Sequence, residues 1–248
     1  MLTTVICDWN RTLLSDHFEE SFFVPLSRGV LCQALLAGRL GRAISLAGVG
    51  VWCYGLVARA RMSPGGSLEP IRRISELLNR HVLPGLEADR LARYRRRYGA
   101  RAARRLDRRL LDPLLAIRRE RGIRLGVISS GCRGGIEAVL GQAGLDVDFV
   151  VANDFAFADG AVTEYELTVM DNKADVLADV LASRQIDPAG VMYIGDNAQD
   201  ENCLAMVGYP VVSMLARRRE RRRLTAQCGA FAPRSQAEFA RHLQAAAT

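Results

Sequence analysis

The chain has 248 residues, of which 49% are apolar and 25% charged. That is enough for one full α/β domain with a smaller insertion, and it excludes a disordered chain, a collagen-like repeat and a disulfide-stapled miniprotein. Thirty-four Lys and Arg against 27 Asp and Glu leave a net charge of +7, which suits an anionic substrate, a nucleic acid or an acidic membrane surface without choosing among them.

Thr3 to Cys7 is a short apolar run, rich in β-branched residues, that ends at Asp8, the pattern of a buried parallel strand with a functional loop at its carboxyl end. The same pattern recurs at Ile123 to Ile128, ending at Ser129 and Ser130, and at Asp148 to Ala152, ending at Asn153. Val191 to Ile194 ends at Gly195 and Asp196, and Pro210 to Met214 closes the series. Helical stretches such as Gly135 to Gly144 and Lys173 to Arg184 lie between the strands. Strands alternating with helices predict an α/β fold with a doubly wound parallel sheet, whose site lies at the strands' carboxyl ends. Phe155 to Val169 alternates like a β-hairpin around Asp159-Gly160.

Between the first two strands, Leu, Ala and Arg recur at helical spacing from about Asp16 to Arg109, too long a stretch for a crossover. It predicts an inserted helical subdomain, broken at Ser63-Pro64-Gly65-Gly66 and at Pro84-Gly85. Residues 1–14 with 110–248 then form the core, and 15–109 the insertion. Within it, Ala43 to Ala58 is uncharged and flanked by Arg39, Arg42, Arg59 and Arg61. A bilayer span takes about 20 apolar residues, so the segment is expected to be a buried or membrane-touching helix rather than a span.

Six scattered cysteines form no C-x-x-C pair and no Cys/His cluster, which predicts reduced core thiols in a cytoplasmic protein. Met1 to Cys7 carries no basic segment of the kind that opens a signal or transit peptide. Arg90 to Arg124 holds fourteen arginines and Arg217 to Arg223 six, but only Tyr94 and Tyr98 interleave the first run. Solvated helix faces explain these runs better than a nucleic-acid footprint. The positive charge itself is uneven: 33 of the 34 basic residues are arginines and one is Lys173. A compact ammonium fits a crowded polar pocket that a guanidinium fork does not, which marks position 173.

Four pieces stand at strand ends or helix starts, in this order: Asp8-Trp9-Asn10-Arg11-Thr12-Leu13, Ser129, Lys173, and Gly195-Asp196 with Asp200 four residues on. Together they resemble the four motifs of the haloacid dehalogenase-like superfamily. The insertion and the Ser129-Ser130-Gly131-Cys132-Arg133 run are most similar to its phosphoserine-phosphatase-type branch, with a helical cap over a Rossmann-like core. The resemblance implies that Asp8 is the nucleophile that becomes an aspartyl-phosphate. Asp8 and Asp196 would hold Mg²⁺ with the main-chain carbonyl of residue 10, and Asp200 would stand in or near the second shell. Ser129 would donate to the phosphoryl oxygens, helped by N–H groups of the turn around Ser130 and Gly131. Lys173 would neutralise the phosphoryl charge, and Thr12 matches the family's threonine. A hard cation on oxygen ligands relieves the repulsion between two anions that a carboxylate nucleophile must overcome. Read alone, Asp196 and Asp200 are equally a helix cap and a first-turn acid, and Ser129 an N-cap serine.

Two positions depart from the family pattern. Its phosphatases commonly carry a second aspartate where this chain has Asn10, and an amide cannot pass a proton to the leaving oxygen. At Arg11 a small residue is usual, so the guanidinium is expected either to clamp a substrate anion or to point to solvent. His17 is another candidate proton source, although a hinge-surface histidine is the simpler reading. The expected function is Mg²⁺-dependent hydrolysis of a small phosphorylated metabolite. The alternatives are phosphoryl transfer to a non-water acceptor and a low-turnover phosphate-ligand or RNA-binding protein.

Overall fold

The computed structural model describes residues 1–15, 19–62 and 69–248. His17 and the expected break at Ser63-Pro64-Gly65-Gly66 lie outside the described residues. The strands are β1 (Thr4–Cys7), β2 (Arg124–Cys132), β3 (Phe149–Ala158), β4 (Ala161–Glu166), β5 (Val191–Gly195) and β6 (Tyr209–Val212). They form one sheet in the order β4-β3-β2-β1-β5-β6, parallel throughout except where β4 runs back along β3. The central strands β1 and β5 are buried along their whole length, as an apolar run covered on both faces must be.

The helices are α1 (Val24–Leu36), α2 (Leu40–Met62), α3 (Glu69–Leu77), α4 (Ala88–Ala102), α5 (Arg108–Arg121), α6 (Arg133–Gln142), α7 (Lys173–Ser183), α8 (Glu201–Ala205), α9 (Arg218–Cys228) and α10 (Gln236–Ala247). Strand residues alternate between two cores. Val5, Cys7, Met192 and Ile194 pack with Leu110, Ile136 and Phe239 from α5, α6 and α10. Ile6, Ile128, Val191 and Tyr193 pack with Leu177, Leu204 and Leu224 from α7, α8 and α9.

Two strand limits differ from expectation. β2 does not stop at Ser129 but runs through a bulge to Cys132. The run at 148–152 and the first arm of the expected hairpin are one strand, β3, because Asn153 pairs across to Cys132 and keeps the ladder going. The hairpin turn itself is as expected: Asp159 and Gly160 join Ala158 to Ala161 with φ of 50° and 75°, the left-handed pair that a two-residue turn demands.

The helical insertion leaves the sheet after β1 and returns through α5, whose first turn begins at Arg108, two residues before the expected resumption of the core. The expected break at Pro84-Gly85 is a turn with Gly85 at φ 74°. An aromatic cluster of Phe22, Phe23, Tyr94, Tyr98, Phe155 and Tyr165 ties the insertion to the hairpin, with ring centres 5.0 Å apart for Phe22–Tyr98 and for Phe23–Tyr165. The 43–58 segment lies inside α2, with Ala43, Leu46 and Val49 buried and the opposite side open. Among the described residues, no helix is long and apolar enough to cross a membrane.

α4 meets α6 at Gly99, where a Cβ would stand 2.4 Å from the main-chain oxygen of Ala138. A helix backbone cannot yield as a side chain can, so Gly99→Ala is expected to lose about 1–3 kcal/mol of stability. Gly141→Ala, into open space on α6, gains about 0.5–1 kcal/mol. Denaturant midpoints for the two variants check both signs.

Candidate active site

The carboxyl ends of β1, β2 and β5 converge on one edge of the sheet, and the loops there carry the polar residues. Asp8 follows β1 directly, with its N–H donating to the Ile194 carbonyl at 2.9 Å. The chain then turns tightly over the Trp9 carbonyl, which accepts the N–H groups of Thr12, Leu13 and Leu14. Trp9 is fully buried and anchors that turn from below. Thr12 is buried with its hydroxyl 3.5 Å from Asp8 Oδ2. Asn10 is half-buried in the same turn.

Lys173, the first residue of α7, is buried, and its Nζ donates to Asp8 Oδ1 at 2.7 Å and to Asp200 Oδ1 at 2.6 Å. A helix start disfavours a cation, so two carboxylates rather than the local backbone hold it there. Asp200 is wholly buried and fully bonded: Oδ1 also accepts the Tyr193 hydroxyl at 2.9 Å, and Oδ2 accepts the N–H groups of Asp196 at 2.9 Å and Asn197 at 3.3 Å. Gly195 makes room for it, since a Cβ there would lie 2.5 Å from Asp200 Cβ. Asn197 and Asp200 also complete a capping box, so the simple helix-start reading of Asp200 holds beside its contact with Lys173. Asp196 is not a cap; its Oδ1 accepts Asn197 Nδ2 at 2.6 Å.

Arg11 does not point to solvent, the simpler of the two expectations for it. Its backbone sits at φ 52°, and the side chain turns inward, with Nη2 donating to the Leu215 carbonyl at 2.7 Å and Nε 3.5 Å from Asp196 Oδ2. Its own carbonyl accepts the Ser213 hydroxyl at 2.8 Å, so the turn after β1 is fastened to the loop after β6. The Ser129 surroundings also differ from expectation. Ser129 is a buried strand residue rather than an N-cap, and its Oγ accepts the Gly131 N–H at 3.0 Å across the bulge, which engages that N–H internally. Asn153 bridges the Ser130 carbonyl and the Val169 N–H, each at 2.7 Å, and so ties the bulge to the approach to α7. Sequence reasoning missed Tyr193, Asn197 and Ser213, and marked Asn153 only as a strand end. Of these, Asn197 carried a local signal, an Asn three residues before an acid at a helix start.

Carboxylate oxygens of Asp8, Asp196 and Asp200 lie within 4.8 Å of one another. Burial pushes the Asp8 carboxyl up to about 6 despite the pull of Lys173, with Asp200 adding to the rise. Burial, then Asp8 and Asp200, push Asp196 well above the carboxylate range. Burial pulls Lys173 down, but Asp200 and Asp8 outweigh it and hold its ammonium above the ordinary lysine value. The pocket therefore holds more negative charge than Lys173 balances, on hard oxygen donors. Asp8 and Asp196 fit a divalent cation such as Mg²⁺, whereas the oxygens of Asp200 are already committed. Burial raises the Cys132 thiol to about 11 and Cys203 to about 12, which leaves both protonated and unreactive.

The folded chain keeps the Asp8 proton to about pH 6, whereas an unfolded Asp gives it up near 3.8. Native protein thus binds more protons in that window, and stability falls as pH rises through it. With a chelator present, Asp8→Asn is expected to gain on the parent by up to about 3 kcal/mol between about pH 4 and about pH 7. A gap in denaturation midpoints that does not change with pH would contradict this.

The haloacid dehalogenase-like hydrolase family model matches residues 5–205, and the chain belongs to that family. It is 35% identical over 98 residues to a phosphoserine phosphatase of Halobacterium salinarum, covering 38% of this chain and 46% of that one. It is 32% identical over 115 residues to a phosphoglycolate phosphatase of Synechococcus elongatus, covering 46% of this chain and 49% of the relative. The matched segments thus span about half the length of these relatives. Among solved structures, a phosphoserine phosphatase captured as a phospho-aspartyl intermediate analogue superposes with a TM-score of 0.59 at 16% identity, over 94% of each chain. That likeness places the sheet and its helical insertion in the phosphoserine-phosphatase-type fold.

Proposed function

We propose that this chain is a cytoplasmic, Mg²⁺-dependent phosphatase that hydrolyses a small phosphomonoester through an aspartyl-phosphate on Asp8. The observation that carries the proposal is Lys173, the sole lysine of the sequence, buried and bonded to Asp8 and Asp200 at 2.7 and 2.6 Å where the strands end. Asp8 and Asp196 would hold the cation with the main-chain carbonyl of Asn10, and the bound ion would supply charge that lets a carboxylate approach a phosphoryl group. Asp8 Oδ2 is the attacking oxygen, since Oδ1 is occupied by Lys173. Lys173 neutralises the equatorial oxygens, with Thr12 and the Ser129 hydroxyl as further donors. Asp200 is a positioning residue for Lys173 and for the Gly195–Asp196 turn. Ser130 and Gly131 shape the bulge that presents Ser129, and Arg11 restrains Asp196. The helical insertion, residues 15–109, is the cap that selects the substrate. Six unpaired thiols suit the reducing cytoplasm.

Asn10 favours a second reading, phosphoryl transfer to an acceptor other than water, because without a proton shuttle the aspartyl-phosphate outlives its formation. One experiment separates the readings: phosphate release from a panel that includes phosphoserine and phosphoglycolate, with and without Mg²⁺, for the parent and Asn10→Asp. Hydrolysis by the parent that rises by about 10²–10⁴ in Asn10→Asp supports the phosphatase with an impaired shuttle. A long-lived acyl phosphate discharged by an added alcohol or amine favours transfer. Neither Mg²⁺-dependent release nor an acyl phosphate from either chain overturns both.

A further inference from the structure

We infer that the outer face of α2 and the end of α1 dock the protein on the surface of an anionic lipid bilayer. Leu35, Leu36, Leu40, Ile44, Val51 and Trp52 are between 51% and 91% exposed. Leu40, Ile44 and Val51 fall four and seven residues apart, one stripe of a helix with 3.6 residues per turn, and Trp52 borders it. The same helix buries Ala43, Leu46 and Val49 on its opposite side. It is therefore apolar on both sides, whereas a helix that only caps a soluble core presents polar residues outward. Leu35 and Leu36 extend the stripe across the turn at Gly38. An exposed run of this kind marks an interaction surface rather than scattered surface leucines.

Charge selects the occupant. α2 contains no Asp or Glu. Arg39 is exposed at its start, and Arg28 stands exposed two turns before Leu35 on the same side of α1. A second copy seated on this face would bring arginine against arginine with no acid on α2 to meet them. An anionic headgroup layer supplies the counter-charge, each basic residue near it contributing about 1 kcal/mol, and a tryptophan at the rim suits the depth of the headgroups. α2 cannot cross a bilayer, so it lies in the interface plane. The inference does not depend on the catalytic reading.

The test is sedimentation of the full chain with vesicles of equal parts phosphatidylglycerol and phosphatidylcholine, against phosphatidylcholine alone. The chain is expected to pellet with the anionic vesicles and to bind neutral ones about tenfold more weakly. Trp52 emission moves to the blue on binding, while Trp9, already fully buried, contributes no change. Val51→Glu and Ile44→Glu each cut binding by about tenfold or more at unchanged melting temperature. Failure to pellet with anionic vesicles overturns the inference, as does equal binding to neutral ones or undiminished binding by both variants. A parent dimer that Val51→Glu dissolves, with no vesicle binding, assigns the face to a second copy instead.

Discussion

Asp8→Asn is expected to remove phosphoryl transfer altogether, a fall of about six orders of magnitude of the kind that follows deletion of a covalent nucleophile. The amide nearly preserves the shape of the carboxylate and can still accept from Lys173, so the fold has no reason to fail. What disappears is the anionic oxygen that attacks phosphorus. Stability and chemistry are therefore expected to separate: in a chelator the variant is at least as stable as the parent near neutral pH, because a buried carboxylate held at about 6 is costly to ionise. Phosphate release on the best panel substrate, with denaturation midpoints measured on the same preparations, reads both. Retained turnover would exclude Asp8 as the nucleophile, and a variant that fails to fold would show that the Asp8 charge is structural.

Much of this arrangement was legible in the sequence because its cause is local. An apolar run ending in Asp or Gly-Asp is a buried parallel strand whose carboxyl end carries the polar residues of the site, and β1 and β5 end that way. The isolation of Lys173 among 33 arginines pointed to a pocket too narrow for a guanidinium. The features that escaped are set by chain segments far apart in sequence. Arg11 turns toward Asp196 because its backbone enters the left-handed region and Leu215, 204 residues away, offers a carbonyl. Nothing near position 11 announces that partner. β2 passes Ser129 because β3 continues beside it, and Asn153 spans from Ser130 to Val169. Tyr193 reads as one more apolar residue of β5 until α8 places Asp200 under its hydroxyl. Its partner is visible only in three dimensions.

Removing Lys173 tests the centre of the site from the opposite charge. Its ammonium lies between Asp8 and Asp200, all three buried, and Asp196 is within the same cluster of carboxylate oxygens. Lys173→Met keeps much of the side chain's volume but leaves buried carboxylates facing one another, which costs about 3–5 kcal/mol when one partner of a buried pair is lost. Part of that cost is avoided if the carboxyls take up protons, which they do more readily without Lys173, so the deficit is expected to shrink as pH falls toward about 6, where Asp8 of the parent takes its proton as well. Divalent metal shrinks it as well, by supplying the missing positive charge. Turnover is expected to fall by about 10³ even where the variant is folded, because the charge on the transferring group loses its fixed counter-ion. Lys173→Arg separates size from charge: a planar fork has no room between two oxygens that each lie within 2.7 Å of Nζ, so it restores neither stability nor turnover. Melting curves at two pH values with and without Mg²⁺ give four stability readings for each variant, and phosphate release gives its turnover. Were Lys173→Met stable and pH-insensitive, the ammonium would be a bystander. Were Lys173→Arg fully active, the pocket would be wider than these distances allow, and the single lysine would reflect codon usage rather than chemistry.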